Sequence, residues 1–115
     1  MKEKWKVIYY LSSTGENPVR DFLDSCLPKT KAKAFRIFLN IEEYGLSAII
    51  PFVKKLTGTF LWEIRILGRE NVRILYIAKK GKKIILLHGF LKKKKKTPKK
   101  EIIISLKRAK IYNRL

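Results

Sequence analysis

Between His88 and Glu101 the chain reads HGFLKKKKKTPKKE, and the residue types in that stretch point to anion chemistry. Five consecutive lysines, Lys92 to Lys96, follow an apolar run, and Lys99 and Lys100 follow a Thr-Pro pair. Thr97 suits a helix N-cap and Pro98 the first helical position, which would set unpaired backbone amides and the positive end of a helix among the ammonium groups. Lysine at a helix start opposes the macrodipole, so a cluster there favours a polyanion that offsets the repulsion. A solvated basic loop is the plainer reading of such a run.

The whole chain moves the balance toward a polyanion. It carries 28 Lys and Arg against 9 Asp and Glu in 115 residues, a formal net charge of +19. Nucleic acid is the commonest partner of so basic a small domain, and an anionic membrane surface or an acidic protein segment also fits the charge. Hydrophobic residues make up 46% of the chain, enough for a packed core and too many for a disordered basic tail. A single domain spanning 1–115 is expected. The one cysteine, Cys26, has no second thiol for an intrachain disulfide or a CxxC metal pair, which favours a reducing compartment. The apolar part of MKEKWKVIYYL is too short for a signal segment, and nothing later approaches a membrane-spanning length. These features suggest a cytoplasmic protein with no membrane contact, no metal and no cofactor.

The elements that must position the cations follow from periodicity. Trp5 to Leu11 reads as an opening strand, ended by Ser12-Ser13-Thr14-Gly15. Asn17 caps a helix that Pro18 begins, with Val19, Phe22, Leu23, Cys26 and Leu27 on one side. Pro28 marks the next boundary. A second helix from about Lys29 to Tyr44 carries Ala34, Phe35, Phe38, Leu39 and Ile41 and stops at Gly45, so the two helices form a hairpin. After Pro51 come a short strand around Phe52 to Leu56 and then FLWEIRI, NVRILYIA and KKIILLHGF, separated by turn residues at Thr57-Gly58, Gly68 to Asn71 and Lys79 to Lys82. A closing helix runs from Pro98 to about Asn113 with Ile102, Ile103, Leu106, Ala109 and Tyr112. The fold class is α+β: a small antiparallel or mixed β-sheet with an N-terminal strand, a helical hairpin and a C-terminal helix.

Strand parity then places side chains. Phe60, Trp62, Ile64 and Ile66 share a face, as do Val72, Ile74 and Tyr76, and matching these apolar faces sets the register parity. Arg65 and Arg73 project together from the opposite face, with Glu63 beside them to neutralise one, unless this is an ordinary charged surface. His88 is the side chain whose unperturbed pKa lies nearest neutrality. It shares parity with Ile84, Leu86 and Phe90, so it reads two ways, as a core histidine with a hydrogen-bond partner or as a proton-transfer group. Phe90 also reads two ways, as packing or as a platform for a nucleic-acid base. Trp5, Tyr9, Tyr10 and Trp62 go to the core or to strand pairing, Glu101 to the lysine cluster, and Tyr112 with Arg108 to a cap on the sheet.

The segments NPVRDFL, EEYG, KKLTG, LWEIR, VRILY, LLHGF followed by lysines, and TPKKEI with Arg108 and Tyr112, taken in this order, resemble the HigB-like, phage-related branch of the RelE/ParE toxin superfamily. The likeness runs from about Trp5 to Tyr112. It implies a RelE-like fold and a messenger RNA endonuclease acting on the ribosome, the toxin of a type II toxin-antitoxin pair. The implied partner is a cognate antitoxin, HigA-like with a helix-turn-helix domain. The resemblance further implies that Arg73 stabilises the scissile phosphate with Arg65 as its neighbour, and that Lys54 and Lys55 line the cleft. Lys92 and Lys93 match a basic pair that ends the last strand, as phosphate clamp and general acid. Lys94, Lys95, Lys96 and Lys99, with Phe90, would extend the grip on RNA, and His88 joins the catalytic candidates. The lysine run is longer than the family pattern, and Ser105 stands where a small apolar alanine is usual.

RNA cleavage by its own 2′-hydroxyl needs a proton acceptor, a donor for the leaving 5′-oxygen, and positive groups around the phosphorane. The chain has no carboxylate cluster suited to a two-metal mechanism, so basic residues would carry the reaction. Lysine crowded by cations has a lowered pKa, while arginine stays charged and clamps phosphate bidentately. Two other classes fit the same residues: a gyrase-inhibiting toxin of this superfamily, and a non-catalytic basic nucleic-acid-binding domain.

Overall fold

The order of elements expected from periodicity is the order found. The computed structural model describes residues 4–113. Its elements are β1 (Lys6–Tyr9), α1 (Pro18–Asp24), α2 (Pro28–Tyr44), a 3-10 segment (Leu46–Phe52), β2 (Val53–Lys55), β3 (Trp62–Ile66), β4 (Val72–Lys79), β5 (Lys83–Leu91) and α3 (Lys99–Asn113). Local chemistry explains the boundaries. Asn17 Oδ1 accepts from the Arg20 amide at 3.1 Å, which caps α1, and Gly45 ends α2 at φ +85°, a conformation that favours glycine. The sheet is mixed, with strand order β1-β5-β4-β3-β2, β1 parallel to β5 and every other pair antiparallel. The chain is therefore the α+β domain that its pattern predicts.

Period-2 alternation divides the apolar residues between two cores. On one face, Leu23 of α1, Ala34, Phe38 and Ile41 of α2, and Ile49 of the 3-10 segment pack on Ile64, Ile66, Val72, Ile74, Ile84 and Leu86. On the other, α3 lays Ile102, Leu106, Ala109 and Tyr112 over Leu75, Ile77, Ile85 and Leu87. Because both faces are covered, β4 is buried from Val72 through Ile77. Among the described residues no helix is long and apolar enough to cross a membrane.

Several expectations are corrected. Phe60 lies outside β3 and is 48% exposed, because the chain turns at Leu56–Leu61 and Leu61 takes the buried place. Leu39 is 63% exposed, since the buried stripe of α2 is Ala34, Ile37, Phe38 and Ile41, a regular i, i+3, i+4, i+7 set that excludes it. Leu27 is also exposed: α1 ends at Asp24, so helical spacing no longer governs it. The main correction concerns β5. Leu75 pairs with His88 and Tyr76 with Leu86, which leaves Leu87 as an extra residue in a β-bulge. Past the bulge the phase inverts, so His88 and Phe90 leave the face of Ile84 and Leu86 and join the α3 face, while Gly89 turns toward the helical hairpin.

Gly89 is where α1 comes closest to the sheet. A Cβ there would lie 2.6 Å from Phe22 Cδ2 and 2.9 Å from Ile74 Cδ1, inside van der Waals contact. Gly89→Ala is expected to destabilise the fold by about 1–3 kcal/mol through overpacking. Denaturant midpoints would read this, with Leu39→Ser as an exposed control expected to change stability by no more than about 0.5 kcal/mol.

Candidate functional site

Cross-strand register on the α3 face brings the candidate residues into rows. Lys54 of β2, Glu63 of β3, Leu75 of β4 and His88 of β5 form one row, and Arg65, Arg73 and Phe90 form the next. A third begins where the Lys92 amide donates to Asn71 O at 2.7 Å, which carries the β4–β5 pairing past the end of β5. Arg65 and Arg73 share the face that parity predicts, and the register makes them direct cross-strand partners. Lys55 is not part of this face. It alternates to the other side, with Nζ 5.5 Å from the Trp62 ring centroid, so the two lysines of KKLTG separate.

Glu63 is fully buried and organises the cations around it. Arg73 Nε donates to its Oε1 at 3.2 Å, Lys92 Nζ lies 3.8 Å from the same oxygen, and Thr97 Oγ1 donates to Oε2 at 2.5 Å. Arg73 is further held through Nη1, which donates to Asn71 Oδ1 at 2.6 Å and to Val72 O at 3.1 Å. Among the described residues no hydrogen bond engages its Nη2. Burial lowers the Arg73 pKa, Arg65 adds to that and Glu63 opposes it, yet a guanidinium starts so high that it stays cationic. Arg65 Nε is buried without a hydrogen-bond partner.

Lys92 differs from the lysines that follow it. Its side chain is 9% exposed, and burial pushes the amine below the ordinary ammonium range. Glu63 resists this shift, while Arg73, Lys54 and Arg65 reinforce it. Lys93, Lys94, Lys95, Lys96 and Lys99 are exposed and form a flexible-stemmed rim beside the organised cluster. Thr97 does not serve as the N-cap. Glu101 N and Ile102 N both donate to Pro98 O, so the helix starts one residue late and the Thr97 hydroxyl ties the lysine loop to the sheet.

His88 belongs to a second cluster on the same face. Its Nε2 lies 2.8 Å from Glu101 Oε1, and its Nδ1 lies 3.3 Å from Arg108 Nη1, which also donates to Leu87 O at 2.8 Å. Arginine only donates, so Nδ1 accepts and Nε2 carries the proton that goes to Glu101. Both ring nitrogens are engaged in docking α3. Burial, more than any other effect, lowers the His88 pKa, Arg108 pushes the same way and Glu101 opposes. Glu101 therefore pairs with His88 and not with the lysine cluster as expected. Phe90 stacks on His88 at 5.7 Å and is 5% exposed, which leaves no ring face for a base and corrects its assignment as a stacking platform. Arg108 reaches over the Tyr10 ring, and Tyr112 meets Tyr10 edge-on, so both help cap the sheet.

Three participants escape sequence reasoning: Asn71 as a clamp on Arg73, Thr97 as a donor to Glu63, and Arg108 as the partner of His88. The available signal is Glu63 itself, a lone carboxylate in the alternating strand LWEIR. Among the described residues no three His, Cys, Asp or Glu side chains converge as a metal-ligand set.

Fold and site together define a small α+β domain with a cationic face ordered around one buried carboxylate. The chain matches the family described as "Phage derived protein Gp49-like (DUF891)" over residues 21–110 and belongs to it. This is a RelE-like family of toxins from toxin-antitoxin systems, so an antitoxin is the expected partner. A comparison with curated proteins finds no match.

The His88 cluster has a stability signature. Its depressed pKa means that the unfolded chain takes up a proton first, so the contribution is complete above the ordinary value of 6.5 and is lost as pH falls through the folded value. His88→Ala should cost about 1–3 kcal/mol at pH near 7.5, where a hydrogen bond to a charged group is lost. The gap between wild type and variant should narrow by about pH 5. Urea midpoints at the two pH values test this, and a gap independent of pH would contradict it.

Proposed function

We propose that this toxin is a metal-independent messenger RNA endonuclease that cuts on the ribosome and so inhibits translation. The observation that supports the reading best is the convergence of Lys54, Arg65, Arg73 and Lys92 on one sheet face, with the Lys92 side chain largely covered and its pKa lowered by burial. In this scheme the 2′-oxygen attacks phosphorus, the bond to the 5′-oxygen breaks, and a 2′,3′-cyclic phosphate and a 5′-hydroxyl result. The 2′-proton passes to solvent, and the Lys92 ammonium supplies one to the 5′-oxygen. Arg73 Nη2 and Arg65 stabilise the charge that gathers on the phosphorane. Lys54 and the exposed Lys93, Lys94, Lys95, Lys96 and Lys99 hold flanking phosphates.

The order of motifs supports a HigB-like toxin, and with it a HigA-like helix-turn-helix antitoxin as partner and the cytoplasm as the place of action. Membership of a toxin family fits this reading, since a toxin requires a cellular target and the target favoured by a +19 protein is RNA.

Brief induction in bacteria, with 5′ ends mapped at nucleotide resolution, tests the proposal. Cuts in frame with codons are expected for wild type, and a loss of about 10²–10³-fold is expected for Arg73→Ala, the size of effect seen when one charge-stabilising donor is removed. Circular dichroism melting of Arg73→Ala separates this from unfolding. Toxicity with intact messages would sink the endonuclease reading and bring gyrase inhibition or simple binding forward. The rate should fall as pH rises through the lowered Lys92 pKa, because the acid must be protonated, and Lys92→Arg should remove that alkaline limb. Lys54→Ala should weaken RNA binding and reduce the salt slope by about one, while Lys55→Ala on the far face should do less.

A further inference from the structure

Glu63 plays no part in the bond-making scheme, yet the basic face is arranged around it. A fully buried carboxylate is costly unless it is paired and hydrogen-bonded. Compensation here comes from three separate stretches of chain: Arg73 of β4, Lys92 just past β5, and Thr97 in the lysine loop. A buried ion pair seldom adds stability over an apolar side chain of like size, and an apolar residue at this strand position would extend the core of Leu75 and Ile77. Its chemistry matters more than its packing.

We propose that Glu63 is a positioning residue that gathers Arg73 and Lys92 at one carboxylate oxygen and keeps Lys92 protonated in an otherwise cationic neighbourhood. The charged groups that influence Lys92 are Lys54 from β2, Glu63 and Arg65 from β3 and Arg73 from β4, and from α3 the nearest carboxylate, Glu101, is taken by His88. Glu63 is thus the one anion in that set. Without it, burial and three like charges would all act to strip the proton from Lys92, and the proposed acid would be spent before substrate arrived. Thr97 completes the arrangement, because its hydrogen bond brings the loop carrying Lys93 to Lys96 against the same carboxylate. The catalytic consequence rests on the endonuclease reading; the protonation of Lys92 does not.

The experiment is an NMR titration of protein labelled with carbon-13 at the lysine ε position, with the Lys92 signal assigned from Lys92→Arg. Glu63→Gln should lower the Lys92 midpoint by about one pH unit or more, the usual effect of removing a close opposite charge. The alkaline limb of cleavage should move by the same amount, with kcat reduced at neutral pH and KM little changed. Glu63→Asp should restore much of both. A folded Glu63→Gln protein whose Lys92 midpoint does not move would overturn the proposal. Should Glu63→Gln fail to fold, the wild-type titration decides: the proposal requires Lys92 to be protonated at neutral pH, and a wild-type midpoint below about 7 overturns it. Absence of cleavage by wild type would sink the endonuclease reading alone, since the titration is read without substrate.

Discussion

A carboxylate without solvent contact, bonded to an arginine, a threonine and a nearby lysine, constrains much of this molecule. For those bonds to form, β3 must lie beside β4, β5 must end with Lys92 next to Asn71, and the loop before α3 must double back over the sheet. The interaction is local in space and spans 34 residues in sequence. Breaking one partner of such a buried group typically costs about 3–5 kcal/mol, because the remaining charge is left uncompensated. The arrangement thus binds the strands to one register as well as ordering the cations. Most of the other described lysines and arginines are exposed, where water and salt screen them.

The two faces of the sheet divide their tasks. Beneath α1, α2 and the 3-10 segment the hairpin face is apolar and supplies ordinary packing, with Lys55 at its β2 edge. The α3 face is apolar only under the helix, and beyond it the same strands present arginine, lysine and glutamate. His88 stands at the boundary, bridged to α3 through Glu101 and Arg108 and stacked on Phe90. A toxin of this family must also accept an antitoxin. A partner that binds the folded form stabilises it by mass action, and one with acidic segments would relieve the self-repulsion of this surface.

Much of this was legible in the sequence because it depends on local rules. Asn17-Pro18 and Gly45 mark helix ends through backbone chemistry, and the alternating strands WEIRI and VRILY allow few registers that keep both cores apolar, so Arg65 and Arg73 had to share a face. The bulge at Leu87 was not legible. In IILLHGF every residue up to Leu87 is apolar, so either phase buries the run equally well, and the choice is made by distant contacts, His88 with Glu101 of α3 and Gly89 against Phe22 of α1. The same kind of reason hides Thr97, which has the right chemistry for a cap and a better acceptor in Glu63. Lys55 shows the opposite case. Its parity relative to Glu63 was available from the register of a three-residue strand, but nothing within that strand indicates which face is which.

The parallel pairing of β1 with β5 joins the first strand of the chain to its last. During synthesis, residues 6–9 emerge early and wait for residues 83–91, and the sheet is incomplete until that second stretch has left the exit tunnel. The cation cluster waits longer, since Lys92 and Thr97 lie beyond β5, and the helix that covers the far core follows them. A nascent or prematurely ended chain therefore has no assembled basic site. Long-range closure of this kind slows folding. For a protein whose finished form is toxic, it also makes harm contingent on translation past Thr97.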